Sequence, residues 1–171
     1  MKINGRNIKR RLYGVKELTD RLSRARHFRG HGIHSPFVYA IVRQVFMKPN
    51  LTTDDRTVYN PLLGRGVPER RAIQLQNLYS HCRYGSFGID CPCEGHDFVV
   101  LTREYPVGGL VGAAADARRC GTTLAIMNPY DGREREDTCK EIVEAHLCTA
   151  VDNRGYLLIF NNRLPKQHFK L

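Results

Sequence analysis

Two short apolar runs constrain this chain more than any other feature: D-F-V-V-L-T (97–102) and T-T-L-A-I-M (122–127). Neither alternates with polar residues, so neither suits a strand with one wet face. Continuous runs of this length are what a strand buried on both faces requires. Between them, residues 109–119 are rich in small side chains (G-L-V-G-A-A-A-D-A-R-R), which suits a helix packed closely on a sheet. Strand, helix, strand with covered faces predicts an α/β layered domain with a mainly parallel sheet.

The remaining segments extend that pattern. Y-G-S-F-G-I-D (84–90) reads as a short strand ahead of the two long ones. Asp131 with Glu134 three residues later has the form of a capping box, opening a helix to about His146. C-T-A-V-D (148–152) and G-Y-L-L-I-F (155–160) flank the turn Asp152-Asn153-Arg154 and read as an antiparallel hairpin, with Q-H-F-K-L as a last edge strand. Upstream, Leu12, Val15, Leu18 and Leu22 recur at helical spacing over residues 6–26, and a second helix spans about 36–47. Residues 48–67 hold Pro, Gly, Asn and Asp at a density that predicts a long connection, and a third helix starts at Pro68. The division expected is a basic helical extension over residues 1–67 and an α/β domain over residues 68–171.

Charge is placed unevenly. Residues 1–50 carry 12 Lys and Arg against 2 Asp and Glu, whereas residues 51–171 carry 15 of each. Such an arm either meets a polyanion, nucleic acid included, or is a solvated basic helix. No RNA-recognition signature, zinc-finger pair or arginine–glycine repeat favours nucleic acid. No apolar run approaches the roughly 20 residues that span a bilayer. The start lacks the apolar stretch of a secretory signal, so a cytoplasmic location with reduced thiols is expected.

Polar chemistry gathers in a few places. R-A-R-H-F-R-G-H-G-I-H-S-P-F-V-Y (24–39) sets His27, His31 and His34 ahead of Ser35-Pro36. Ser35 fits a helix N-cap and Pro36 the first helical position. The histidines can fix the angle between two helices or hold an anion or metal. Cys82, Cys91, Cys93 and His96 offer thiolate and imidazole ligands, but their spacing departs from the zinc patterns that start from C-x2-C, and a loop of reduced thiols is the plainer reading. Asn128 and Asp131 fall at the carboxyl end of the second long strand, where open α/β sheets place ligands, and Glu104 lies in the corner after the first. Glu104 is a general base only beside a cofactor, and capping alone accounts for Asp131. No nucleophile elbow, P-loop or H-E-x-x-H pattern is present.

The elbow H-G-I-H-S-P-F-V-Y, preceded by its basic helix, resembles the N-terminal signature of a group of bacterial class I S-adenosylmethionine-dependent methyltransferases. L-A-I-M-N-P-Y-D-G-R-E-R-E-D-T-C-K-E-I-V and the C-terminal T-A-V-D-N-R-G-Y-L-L-I-F-N-N-R-L-P-K-Q-H-F-K-L are similar to that family's fifth strand, the helix after it and its closing strands. The resemblance covers about residues 8–47 and 97–171. It implies a Rossmann-like sheet, and at its 128–131 corner a loose match to the metal-binding Asp and Asn of the metal-dependent O-methyltransferases.

The middle of the chain departs from the family. Such an enzyme needs a glycine-rich loop after its first strand and an acidic residue ending its second, for the cofactor's methionine and ribose. Only six residues separate Asp90 from Asp97 here, and a single strand–helix–strand unit takes about 30. Gly85, Gly88 and Asp90 are the candidate remnants of the cofactor site. The expectation is a reduced Rossmann-like domain without a cofactor, acting as a binding or interaction module. The alternatives are an active methyltransferase binding S-adenosylmethionine at an unusual site, and a weak polyanion binder. A sheet edge bared by missing strands would favour a homodimer or coverage by residues 48–67.

Overall fold

A computed structural model describes residues 33–171. The Ser35 hydroxyl accepts the Val38 N–H at 3.4 Å, and Pro36 opens helix α1 (Pro36–Ile41), which continues through a wider π turn over Val42–Phe46. Together they bury Val38, Ile41, Val42, Val45 and Phe46. The connection expected over residues 48–67 is not wholly irregular: it contains a short helix, α2 (Tyr59–Gly64), with Leu62 buried. Helix α3 (Glu69–Cys82) follows directly on Pro68.

Three buried amides on α3 tie this connection down. Asn77 accepts the Thr52 N–H at 2.9 Å and donates to the Asn50 carbonyl at 3.0 Å. Gln76 accepts the N–H groups of Val58 and Tyr59 at 2.8 and 3.0 Å and donates to Asp55 at 3.0 Å. Gln74 donates to the Phe46 carbonyl at 3.2 Å. Backbone groups that a buried loop would leave orphaned are satisfied by side chains instead.

The sheet has six strands: β1 (Phe87–Ile89), β2 (Phe98–Leu101), β3 (Thr123–Met127), β4 (Thr149–Asp152), β5 (Tyr156–Ile159) and β6 (Gln167–Lys170), in the order β1-β2-β3-β5-β4-β6. The β1/β2, β2/β3 and β4/β6 pairs are parallel, whereas β5 runs antiparallel to both β3 and β4. The sheet is therefore mixed, with one reversed strand. The other five point the same way and end on a common edge.

Strict alternation sorts the strand residues onto two faces. Phe98, Val100, Ala125, Met127, Val151 and Leu158 share a core with α1, α2 and α3. Val99, Leu101, Leu124, Ile126, Ala150 and Leu157 share a second core with α4 (Leu110–Cys120) and α5 (Arg133–Ala145). The result is a sheet sandwiched between two helical layers, which is why β2 and β3 read as unbroken apolar runs. Each fully buried Leu or Ile contributes about 1.5–3 kcal/mol. Among the described residues, no helix is long and apolar enough to cross a membrane.

Helix α5 does not start as expected. Gly132, at φ +90°, occupies its N-cap, and no side chain caps it. The conformation lies in the region that only glycine enters freely. Asp131 is drawn away to Arg103, so the capping box does not form.

Candidate functional site

Strands β1 and β2 are parallel yet joined by only eight residues, 90–97, with no helix between them. Parallel neighbours ordinarily need a crossover of a dozen residues or more. The three residues expected as remnants of a cofactor site are the ones that make this shortcut possible. Asp90 adopts φ +50° and turns its carboxylate onto the end of β2. There it accepts the Thr102 N–H at 2.7 Å and the Thr102 hydroxyl at 2.8 Å, with the Arg65 guanidinium at 3.1 Å. Gly88 lies under the returning loop: a side chain on it would collide with the Cys91 sulfur and press on the His96 ring at 3.1 Å. Gly85 donates its N–H to the Asp97 carboxylate at 2.7 Å, and Ser86 exchanges hydrogen bonds with the same residue at 3.2 and 2.8 Å.

The rest of the loop is held from the neighbouring strand. The Thr122 hydroxyl donates to the carbonyls of Cys93 and His96, at 3.1 and 2.7 Å. The Cys93 side chain enters the core beneath α4. Burial pushes its thiol up to about 11, and burial together with the Asp90 charge also raises the Cys91 thiol. Both sulfurs therefore favour the protonated form near neutral pH, which does not suit a nucleophile. Cys82 packs against the other core. Among the described residues, no three His, Cys, Asp or Glu side chains come together to hold a metal ion.

The carboxyl ends of β2 and β3 form a second, tightly knit corner. Its centre is Arg135, which sequence reasoning missed. In R-E-R-E-D it reads as one cation of a solvated helix, yet it is 2% exposed. Its guanidinium donates to the Met127 carbonyl at 3.2 and 3.1 Å, to Thr102 at 2.9 Å, to Tyr105 at 3.1 Å and to Arg103 at 3.4 Å. One planar fork thus gathers the last carbonyls of two strands. Burial lowers its pKa from the ordinary arginine value, without a carboxylate in contact. The only signal in the sequence was its position, two residues past Arg133 on the helix start that faces the strand ends.

Of Glu104, Asn128 and Asp131, the last two are joined directly, the Asp131 N–H donating to the Asn128 carbonyl at 3.0 Å. Asp131 is gripped in a two-pronged pair by exposed Arg103, at 2.6 and 3.2 Å. Asn128 takes φ +50° and donates its N–H to the Gly155 carbonyl at 2.9 Å, joining the β3 end to the hairpin turn. Glu104 is exposed. On the opposite helical layer, Arg71 bridges Gln74 and Asn153 at 2.9 Å each and lies over the Tyr156 ring at 5.6 Å.

Of the elbow residues, Ser35 is the N-cap described above and His34 is exposed. His27 and His31 lie outside the described residues. Comparisons of the chain with protein-family models, with curated proteins and with solved structures returned no match.

Proposed function

We propose that this protein is a methyltransferase-like, reduced Rossmann-like chain that has lost its S-adenosylmethionine site and works as a binding or interaction module. One observation carries the reading. The carboxyl end of β1, where the family resemblance puts the cofactor, is filled by the chain's own shortcut. The Asp90 carboxylate is spent on Thr102 and Arg65. Gly88 is bare so that Cys91 and His96 can sit on it. An eight-residue link also leaves no length for a phosphate- or ribose-type cradle at a helix start.

The sheet edge supports the interaction half of the reading. Strand β1 pairs with β2 through Ser86, Gly88 and Asp90, so the N–H and C=O groups of Phe87 and Ile89 face outward. No other strand pairs with that edge among the described residues. Such an edge accepts a further strand, a second copy of the chain included.

The test is calorimetry of the full chain with S-adenosylmethionine and S-adenosylhomocysteine. The expected outcome is no binding tighter than about 100 μM, which corresponds to roughly −5.5 kcal/mol. A tighter constant, or methyl transfer to any acceptor, refutes the reading in favour of an active enzyme. A second reading, a weak polyanion binder, rests on the 12 cations against 2 acids in residues 1–50. It calls for RNA or DNA binding that fades as salt rises, with a log–log slope of about −0.9 per neutralised phosphate on duplex DNA.

A further inference from the structure

Helix α5 does not cover the whole face it packs on. Its Cys139 and Ile142 sit over Leu124, Ile126 and Ile159. Beyond them, β4 and β6 extend the sheet. Their register pairs Ala150 with His168 and Asp152 with Lys170. Ala150 belongs to the core on the α5 side, so the alternation brings Asp152, His168 and Lys170 to that same side. A cleft of about 350 Å3 opens there, between the flank of α5, the Pro129–Tyr130 corner and the β4–β6 end of the sheet.

Its lining is graded. The floor is apolar: Leu157 and Cys139 are 3% and 5% exposed, and Val143 adjoins them. Burial pushes the Cys139 thiol up to about 11, so it is a neutral wall. The rim carries both signs of charge. Glu144 stands on the α5 side and Lys170 on the β6 side, both exposed and neither in an ion pair among the described residues. Lys140, by contrast, is already neutralised by Glu136 at 2.8 Å and Asp137 at 3.1 Å. Asp152, buried at 3% and bonded to the Tyr130 hydroxyl, closes one end.

We propose that this cleft binds a small free amino acid with an apolar side chain. The volume is near the lower end of the roughly 300–1,000 Å3 that ligand sites occupy, which fits a single small molecule. The apolar floor takes the side chain. Glu144 faces the ammonium group, and Lys170 faces the carboxylate. A ligand with only one charge would satisfy half of the rim, and glycine would leave the floor empty. The proposal is independent of the fate of the cofactor site, because none of these residues contributes to the β1–β2 shortcut.

The experiment is titration of the 15N-labelled full chain, followed by amide shifts, with L-leucine as probe and glycine, isoamylamine and 4-methylpentanoate as comparisons. The expected result is saturable movement of the Tyr130, Glu144, Leu157 and Lys170 amides with leucine. The three comparison molecules should bind about tenfold or more weakly, the ratio that one lost charge contact or the lost side chain yields. Glu144→Gln and Lys170→Gln, both at exposed positions, should each weaken leucine binding by about tenfold at an unchanged melting temperature. The proposal is overturned if leucine moves no amide of the cleft at about 10 mM. Equal response to glycine, to the amine or to the acid also overturns it, as does wild-type affinity in both charge variants.

Discussion

Replacing Arg135 with Met should be among the most damaging single changes this fold can take. The substitution keeps an unbranched stem of similar bulk but removes every donor. Four carbonyls, those of Thr102, Arg103, Tyr105 and Met127, then lose their partner in a site where Arg135 is 2% exposed. Hydrogen bonds from a charged donor are worth about 1.5–3 kcal/mol each, but the desolvation of the buried guanidinium offsets a large part of their sum. The net loss expected is about 3–5 kcal/mol, because buried carbonyls left without a donor cost about 1–3 kcal/mol each and the desolvation of the guanidinium is no longer incurred. That is a large share of the about 5–15 kcal/mol that holds a domain together. Arg135→Lys keeps the charge but has a single nitrogen in place of a planar fork, so it should recover only part. Urea unfolding followed by circular dichroism reads the effect. At a slope of about 1–3 kcal/mol per molar, the midpoint should fall by about 2 M with the slope unchanged. A Met variant within about 1 kcal/mol of wild type would refute the idea that Arg135 clamps the strand ends. So would a Lys variant indistinguishable from wild type.

Two further outcomes follow from local geometry. Gly88→Ala should destabilise by about 1–3 kcal/mol through overpacking against Cys91 and His96, and adding Cys91→Ala should restore part of the loss, read by the same urea midpoints. Burial lowers the pKa of His146, whose ring bonds the Phe160 carbonyl at 2.9 Å. The unfolded chain then binds the proton more readily, at its ordinary value near 6.5, so this contribution is present above that pH and is lost as pH falls through it. Stability measured from pH 7.5 down to 5 should decline less steeply in His146→Gln than in wild type, and parallel profiles would contradict the assignment.

Periodicity made much of the scaffold legible. The two unbroken apolar runs became β2 and β3 because both faces are covered, and the turn at Asp152-Asn153-Arg154 joins the expected hairpin. What periodicity could not show was polar residues used as internal fittings. Gln74, Gln76 and Asn77 look like a wet helix face, yet they are buried because the 50–59 segment needs their amides. Asp131 and Glu134 had the spacing of a capping box, but Arg103 was within reach of Asp131 and Gly132 set the helix entry at positive φ. Arg135 had only its place on the helix start to mark it, because nothing in a run of alternating charges says which one turns inward. At the candidate site, the tight spacing from Asp90 to Asp97 signalled a missing crossover. The compensating role of Gly85, Gly88 and Asp90 became visible only with the loop in place, because it depends on contacts across strands.

We propose that Asp90 closes the carboxyl end of β1 onto β2 and serves there in place of holding a cofactor. A double-mutant cycle on Asp90→Ala and Thr102→Val, measured by unfolding with and without S-adenosylhomocysteine, addresses it directly. The Asp90 change alone should cost about 1–3 kcal/mol, since it strands the Thr102 donors and Arg65. The two changes together should cost less than their sum by about 1 kcal/mol, the coupling expected of directly bonded groups. The ligand should shift no midpoint in any of the four proteins. Additivity within about 0.3 kcal/mol, joined by a ligand-induced stabilisation that vanishes in Asp90→Ala, would instead place the ribose contact at Asp90 and contradict the claim.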